Sequence, residues 1–257
     1  MIYKIYDTEN ASPLFAGWEE TLIWSCLDGL MGCIYGDHPL FPQSAVAVLG
    51  DFSFFAGKPS RELVFMDHHR TYSILVPQNE EWKALILDAF GDRAAVITRY
   101  ATKKEPDVFD TEYLKRAASS LPAGYTLCRI DEPIYRMCLS QAWSRDLAAQ
   151  FGTYEQYRRL GLGVAVRKGS SLLAGASSYS RYSKGIELEI DTREDCRRQG
   201  LAFACGAGLI LECLRQGLYP SWDAHTEISL HLAEKLGYHF SHAYTAVEVW
   251  GPIPARG

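Results

Sequence analysis

The residues best suited to chemistry lie between positions 187 and 202. In GIELEIDT (185–192), Glu187, Glu189 and Asp191 alternate with Ile186, Leu188 and Ile190. That period-two pattern predicts a strand with one apolar face and one carboxylate-bearing face. A carboxylate so placed can take a proton from an incoming nucleophile, directly or through water. Glu189 and Glu187 are the candidates for that base, and Asp191 is better suited to ordering the loop that follows. The polar loop TREDCRRQGLA (192–202) then closes as Arg197-x-x-Gly200-x-Ala202 at the start of an apolar helix. A helix N-terminus exposes unpaired amides at the positive end of its dipole, and a diphosphate fits there. Gly200 lets the backbone approach phosphate oxygens with no Cβ in the way. Ala202 keeps the first turn small, and Arg197 and Arg198 can add charge-assisted bonds. Taken alone, the six residues are equally well explained as a plain loop-to-helix joint, and the glutamates as a solvated strand face.

The elements that must hold this segment can be read on either side of it. Upstream, the pattern predicts a strand over 125–130, a helix over 134–151, and strands over 163–167 and 172–179 joined by a Lys168-Gly169 turn. Downstream, a helix runs from Gly200 to about Gln216, followed by a strand at 219–222, a helix over 227–236 and a last strand over 245–250. His225, in the run WDAH, falls between a strand and a helix, where active-site groups are often found. Capping or packing explains it as readily. Thr226 is a suitable N-cap for the helix behind it. The expected fold class is α+β, or α/β layered, with a mixed sheet flanked by helices.

With these elements in view, residues 185–250 resemble the GNAT superfamily of N-acetyltransferases. The Arg197-x-x-Gly200-x-Ala202 loop is similar to its acetyl-CoA pyrophosphate motif. The run AEKLGY (233–238) is similar to the end of its last helix. Residues 192–202, with WDAH and AEKLGY, most resemble the subgroup that includes the zwittermicin A self-resistance acetyltransferase. The resemblance implies an acetyl-CoA-dependent enzyme. The backbone of Ile190, Asp191 and Thr192 would bind the pantetheine arm. Residues 197–202 (Arg197, Arg198, Gln199, Gly200, Leu201 and Ala202) would hold the diphosphate, and Ser229 would lie near the coenzyme. It also implies a departure: Ala233 stands where many members carry a tyrosine that protonates the leaving thiolate. Tyr238, His225 or water are the candidates for that role, and a non-catalytic acyl-CoA-binding or sensor protein is the alternative function. A protein that keeps only the fold is a third reading.

The rest of the chain bounds the function from outside. Its 257 residues carry a net charge of −5, which argues against a phosphate-backbone partner such as nucleic acid. No stretch approaches the ~20 apolar residues of a membrane helix, and the start MIYKIYDTEN has no secretory character. An odd number of cysteines, seven, without CxxC spacing suits a reducing cytoplasm. Asp67-His68-His69 invites a metal reading, but adjacent strand residues face opposite ways and no third ligand is apparent, so no metal is expected. The turn signal LPAG (121–124) sets the expected boundary between domains 1–120 and 121–257. The first is expected to be an α/β domain, a degenerate copy of the second that contributes to the acceptor site. Its helix would run over 15–34 and strands over 45–49, 62–65, 72–76 and 94–100, with a helix over 80–90. Trp18, Trp24, Phe52, Phe54 and Phe55 would line a cavity or pack a core. The expected partner is a small-molecule amine.

Overall fold

The structure, a computed structural model, describes residues 1–66 and 71–251; Asp67, His68 and His69 lie outside the described residues. The chain forms two compact units. The first holds Met1–Arg99 and the chain from Ala243 onward, and the second holds Tyr100–His242. The turn at 121–124 lies inside the second unit.

In the first unit, β1 (Tyr3–Ile5), β2 (Cys33–Gly36), β3 (Ser44–Leu49) and β4 (Phe52–Gly57) pair antiparallel in succession. Next, β5 (Tyr72–Pro77) adds parallel to β4. The sheet continues through β13 (Phe240–Trp250, of which the part from Ala243 belongs here) to β6 (Ala94–Thr102, here up to Arg99). Three helices accompany it: α1 (Thr21–Leu27), α2 (Arg61–Val64) and α3 (Glu80–Phe90). Asn79 caps α3 by accepting the Trp82 amide at 3.0 Å, and Trp82, Ile86 and Phe90 pack on Phe55, Leu75 and Val247. Two expectations fail here. The helix over 15–34 shrinks to α1, because left-handed glycines at 17 and 29 interrupt the pattern on both sides. The strand over 62–65 is the single turn α2, closed by the Val64 and Phe65 amides on Ser60 and Arg61 carbonyls. The aromatic set packs a core: Phe52, Phe54 and Phe55 are buried, and Trp18 meets Phe54 edge-on with ring centroids 5.9 Å apart.

The second unit repeats this pairing order. Its strands β7 (Thr126–Arg129), β8 (Gly163–Lys168), β9 (Ser171–Tyr182) and β10 (Gly185–Thr192) run antiparallel in succession, and β11 (Tyr219–Ser221) adds parallel to β10. The short β12 (Asp223–Ala224) pairs instead with Tyr100 and Ala101. Four antiparallel strands followed by a parallel fifth is thus the order in both units, as a degenerate N-terminal copy requires. The units differ at the connection before the fifth strand. The second unit has the fifteen-residue helix α7 (Leu201–Arg215) there, and the first has the four-residue α2.

The expected helix over 134–151 is really α5 (Glu132–Ser140) followed by two 3-10 turns, Ala142–Leu147 and Ala149–Phe151. A further helix, α6 (Tyr154–Leu160), was not expected. The 3-10 turns let Leu147 pack into the sheet, so close to Gly175 that a Cβ there would stand 2.6 Å from Leu147 Cδ1. α4 (Thr111–Ala118) and α8 (Glu227–Lys235) complete the unit. Leu114, Ala117, Ile186, Leu188, Leu201, Cys205, Leu209 and Ile210 share one core, which places α4 and α7 on the apolar face of β10.

Candidate active site

The end of β10 is where the sheet opens. β11 pairs with β10 at Gly185, Ile186 and Glu187 and then ends at Ser221. β9 still follows β10 to Thr192. From Leu188 to Thr192, β10 therefore has one edge with no strand partner among the described residues. Unpaired strand edges present amides and carbonyls to an extended partner. Glu187 fixes the opening. It is buried (5% exposed), and its Oε1 accepts the Asp223 amide at 2.7 Å, just where the chain turns away toward β12.

The loop after β10 leads into α7 through two left-handed residues, Arg198 (φ 63°) and Gly200 (φ 78°). Left-handed backbone at a non-glycine costs about 1 kcal/mol or more and tends to collect at functional loops. A Cβ at Gly200 would have nothing within 4 Å, so this glycine is not there for packing. No side chain caps α7, and its first turn holds no acidic residue. The amides of its first turn thus have no side-chain acceptor capping them. Arg197, Arg198, Gln199 and Gly200 are all exposed, Leu201 is buried and Ala202 half-buried. Arg197 Nε reaches the Thr192 carbonyl at 3.4 Å, and Gln199 accepts from the Tyr125 hydroxyl. Arg193 is engaged with Asp195, at 2.6 and 3.0 Å. Thr192 Oγ1 is buried without a partner, a condition native proteins rarely leave unmet. An acyl-CoA fits this donor set: an open strand edge, a helix start with no side-chain cap, two exposed arginines and an orphaned hydroxyl all lie within a few residues.

The carboxylates lie on the opposite face of the strand from α7. Glu189 is half-buried and sits opposite Ser177 of β9 in register. Ser177 Oγ meets the Tyr157 hydroxyl of α6 at 2.9 Å, so α6 covers this face. Asp191 is half-buried too, and its carboxyl is pushed up to about 7 by burial and by Asp146, against the pull of Arg197. Asp146 was invisible to the periodicity, which had placed it inside one long helix. His225 is exposed on the link between β12 and α8. Thr226 caps α8 by accepting the Ser229 amide at 3.2 Å. The Ser229 hydroxyl accepts from Trp222 Nε1, also at 3.2 Å. Tyr238 is buried and donates to the Pro220 carbonyl at 2.6 Å, and burial holds its hydroxyl far above the usual tyrosine range. Ala233 is fully buried. The structure thus brings Glu187, Glu189, Asp191, Thr192 and the 197–202 loop together along one strand and its exit. Among the described residues, no group of three or more metal-ligating side chains occurs, and no helix is long and apolar enough to cross a membrane.

The model of the GNAT acetyltransferase family matches residues 12–247. The chain belongs to that family. Its match spans both units, so the GNAT assignment covers nearly the whole chain and not only the region that carries the motif. A GCN5-related N-acetyltransferase-like protein from Streptococcus suis is 48% identical, with a TM-score of 0.91, covering 95% of this chain and 98% of that one. An uncharacterized N-acetyltransferase of Bacillus subtilis is 25% identical over 240 residues, 88% of each chain. A tandem GNAT protein from the clavulanic acid biosynthesis pathway shares the fold across all of both chains, at 9% identity and a TM-score of 0.52. Family and relatives identify this GNAT protein as an acetyltransferase.

The Asp191 carboxyl makes a prediction of its own. Its pKa is raised in the fold, so between about pH 4 and pH 7 the folded state holds a proton that the unfolded chain has lost. Its contribution to stability therefore falls as pH rises through that window. Asp191→Asn is expected to raise Tm by roughly 5 °C at pH 8, on the order of 2 kcal/mol after allowance for solvent access. The gain should vanish near pH 4. Thermal melts at the two pH values check this, and a pH-independent difference would mean the carboxyl is not perturbed.

Proposed function

We propose that this protein transfers the acetyl group of acetyl-CoA to the amine of a small-molecule acceptor. One observation carries the reading: the unpartnered edge of β10, the uncapped start of α7 and the orphaned Thr192 hydroxyl meet at one place. The diphosphate would lie on the amides of Gly200, Leu201 and Ala202, with Arg197, Arg198 and Gln199 around it. The pantetheine arm would run along Ile190, Asp191 and Thr192, with Ser229 on the flanking helix. Amides of the open edge would face the thioester oxygen as charge develops on it. Glu189 is the proposed base, taking the ammonium proton directly or through water so that a neutral amine attacks. Glu187 already accepts a backbone amide and acts best as the residue that holds the strands apart. His225, exposed beside the opening, is the remaining side chain for the leaving thiolate, because the Tyr238 hydroxyl is committed to Pro220. The likeness of 192–202 to the zwittermicin A self-resistance subgroup supports an antibiotic-like amine. Seven free cysteines suit a reducing compartment such as the cytoplasm.

A second reading, an acyl-CoA sensor without turnover, is favoured by the buried Ala233, which leaves no tyrosine at that point of α8. Calorimetry with acetyl-CoA, followed by thiol-release assays over a panel of aminoglycosides, polyamines and amino-sugars, separates the two. Binding with release on at least one amine is expected. Binding with no release on any amine supports the sensor, and no binding removes both.

A further inference from the structure

The carboxylate face of the second unit holds a pair of hydroxyls that the acetyl-transfer reading does not yet use. Ser177 of β9 is fully buried and stands directly opposite Glu189 of β10. Residues opposite each other in an antiparallel ladder share a face, with Cβ atoms about 5 Å apart. On its other side Ser177 is opposite Gly163 of β8. Tyr157 of α6, buried, reaches over that glycine, and its hydroxyl lies 2.9 Å from Ser177 Oγ. The reach needs the glycine: a Cβ at 163 would stand 2.3 Å from the Tyr157 hydroxyl and 2.8 Å from Ser177 Oγ. Tyr157, Ser177 and Glu189 thus stand in line across β8, β9 and β10.

The direction of the hydrogen bonds follows from what each group can accept. Burial holds the Tyr157 hydroxyl above the usual tyrosine range, so it keeps its proton. A buried hydroxyl proton needs an acceptor, and Ser177 Oγ takes this one. Ser177 then has its own proton to place. The Leu162 carbonyl is 3.4 Å away and already accepts the Ser178 amide at 2.8 Å. A carboxylate is the stronger acceptor, and the one directly across the ladder belongs to Glu189.

We propose that Tyr157 and Ser177 are positioning residues for acetyl transfer: Tyr157 donates to Ser177, and Ser177 donates to Glu189 and holds its carboxylate in one orientation toward the amine. The inference rests on Glu189 as the base. Neither hydroxyl is proposed to touch amine or coenzyme. A base must sit within hydrogen-bond reach of the proton it takes, and a half-buried glutamate has several rotamers to choose from. One donated hydrogen bond from a rigid, buried serine selects among them. The tyrosine behind it fixes the serine and strengthens its donation.

The test measures kcat on an amine accepted in the panel above. Tyr157→Phe and Ser177→Ala are made singly and again in the Glu189→Gln background. In the parent, each should lower kcat by about tenfold and leave the Kd of acetyl-CoA within about twofold. In Glu189→Gln, where no base remains to be held, the same changes should move kcat by less than about twofold. Such non-additivity marks residues that act as one unit. A loss caused by a loosened fold would persist in both backgrounds. Tyr157→Phe keeps the ring that packs on Tyr135 and Phe151, and Ser177→Ala removes a single oxygen. Melting curves show that each is folded, and either variant alone decides the question. An equal loss in both backgrounds, or a parent-like kcat in the folded variant, overturns the proposal and leaves the base assignment standing. A parent-like kcat in Glu189→Gln, or no turnover on any amine, removes the base and this proposal with it.

Discussion

Replacing Gly200 with aspartate is expected to weaken acetyl-CoA binding by more than about a hundredfold, close to 3 kcal/mol. The argument has two parts. Gly200 sits at φ 78°, and aspartate tolerates that left-handed region better than most residues. A Cβ there meets nothing within 4 Å, so the fold should accept the change. What the substitution adds is a carboxylate at the mouth of α7, where the proposed diphosphate would sit. It would also cap the helix and occupy the amides that phosphate needs. Gly200→Asn serves as the matched variant, with the same shape and no charge. It should lose roughly tenfold or less. Calorimetry of both variants, with melting curves to show that they are folded, gives the answer. If Gly200→Asp binds acetyl-CoA within threefold of the parent, the diphosphate does not lie at this turn.

Glu189→Gln should lower kcat by about two to three orders of magnitude on an accepted amine, the usual worth of a positioned base. The Kd for acetyl-CoA should hardly move, because the Glu189 side chain is proposed to meet the amine and not the coenzyme. Raising the pH should recover part of the lost rate, since more of the amine is then neutral without help. The neighbouring Asp191→Asn is the necessary comparison. Asp191 shares the face of Glu189, and its carboxyl titrates near 7. If Asp191→Asn loses turnover and Glu189→Gln keeps it, the base is Asp191. An unchanged kcat in Glu189→Gln sinks its assignment whatever Asp191 does.

Much of this arrangement was legible beforehand, and the reason is local. The strand over 185–192 is found at the expected residues because its apolar and acidic residues alternate without a break, and both faces are used as that alternation requires. The start of α7 carried an equally local signal, a glycine before an apolar run, and α3 lies at the expected residues 80–90. The α5–α6 region was misread because its apolar positions fit a helical period by accident. Asp131 and Thr153 cap two separate helices there, and the turns between them are set by Leu147 packing against Gly175.

The sequence by itself determined the fold class and carried the resemblance to the family, because both are written in neighbouring residues: period, turn signals and short motifs. Only the tertiary structure decided which carboxylates are spoken for. Glu187 is tied to the Asp223 amide across 36 positions, Asp191 is set against Asp146, and the Tyr238 hydroxyl is committed to Pro220. The repeated pairing order of the two units is likewise a property of which edges meet. Burial and partners depend on residues brought together from distant parts of the chain, and no local pattern records that.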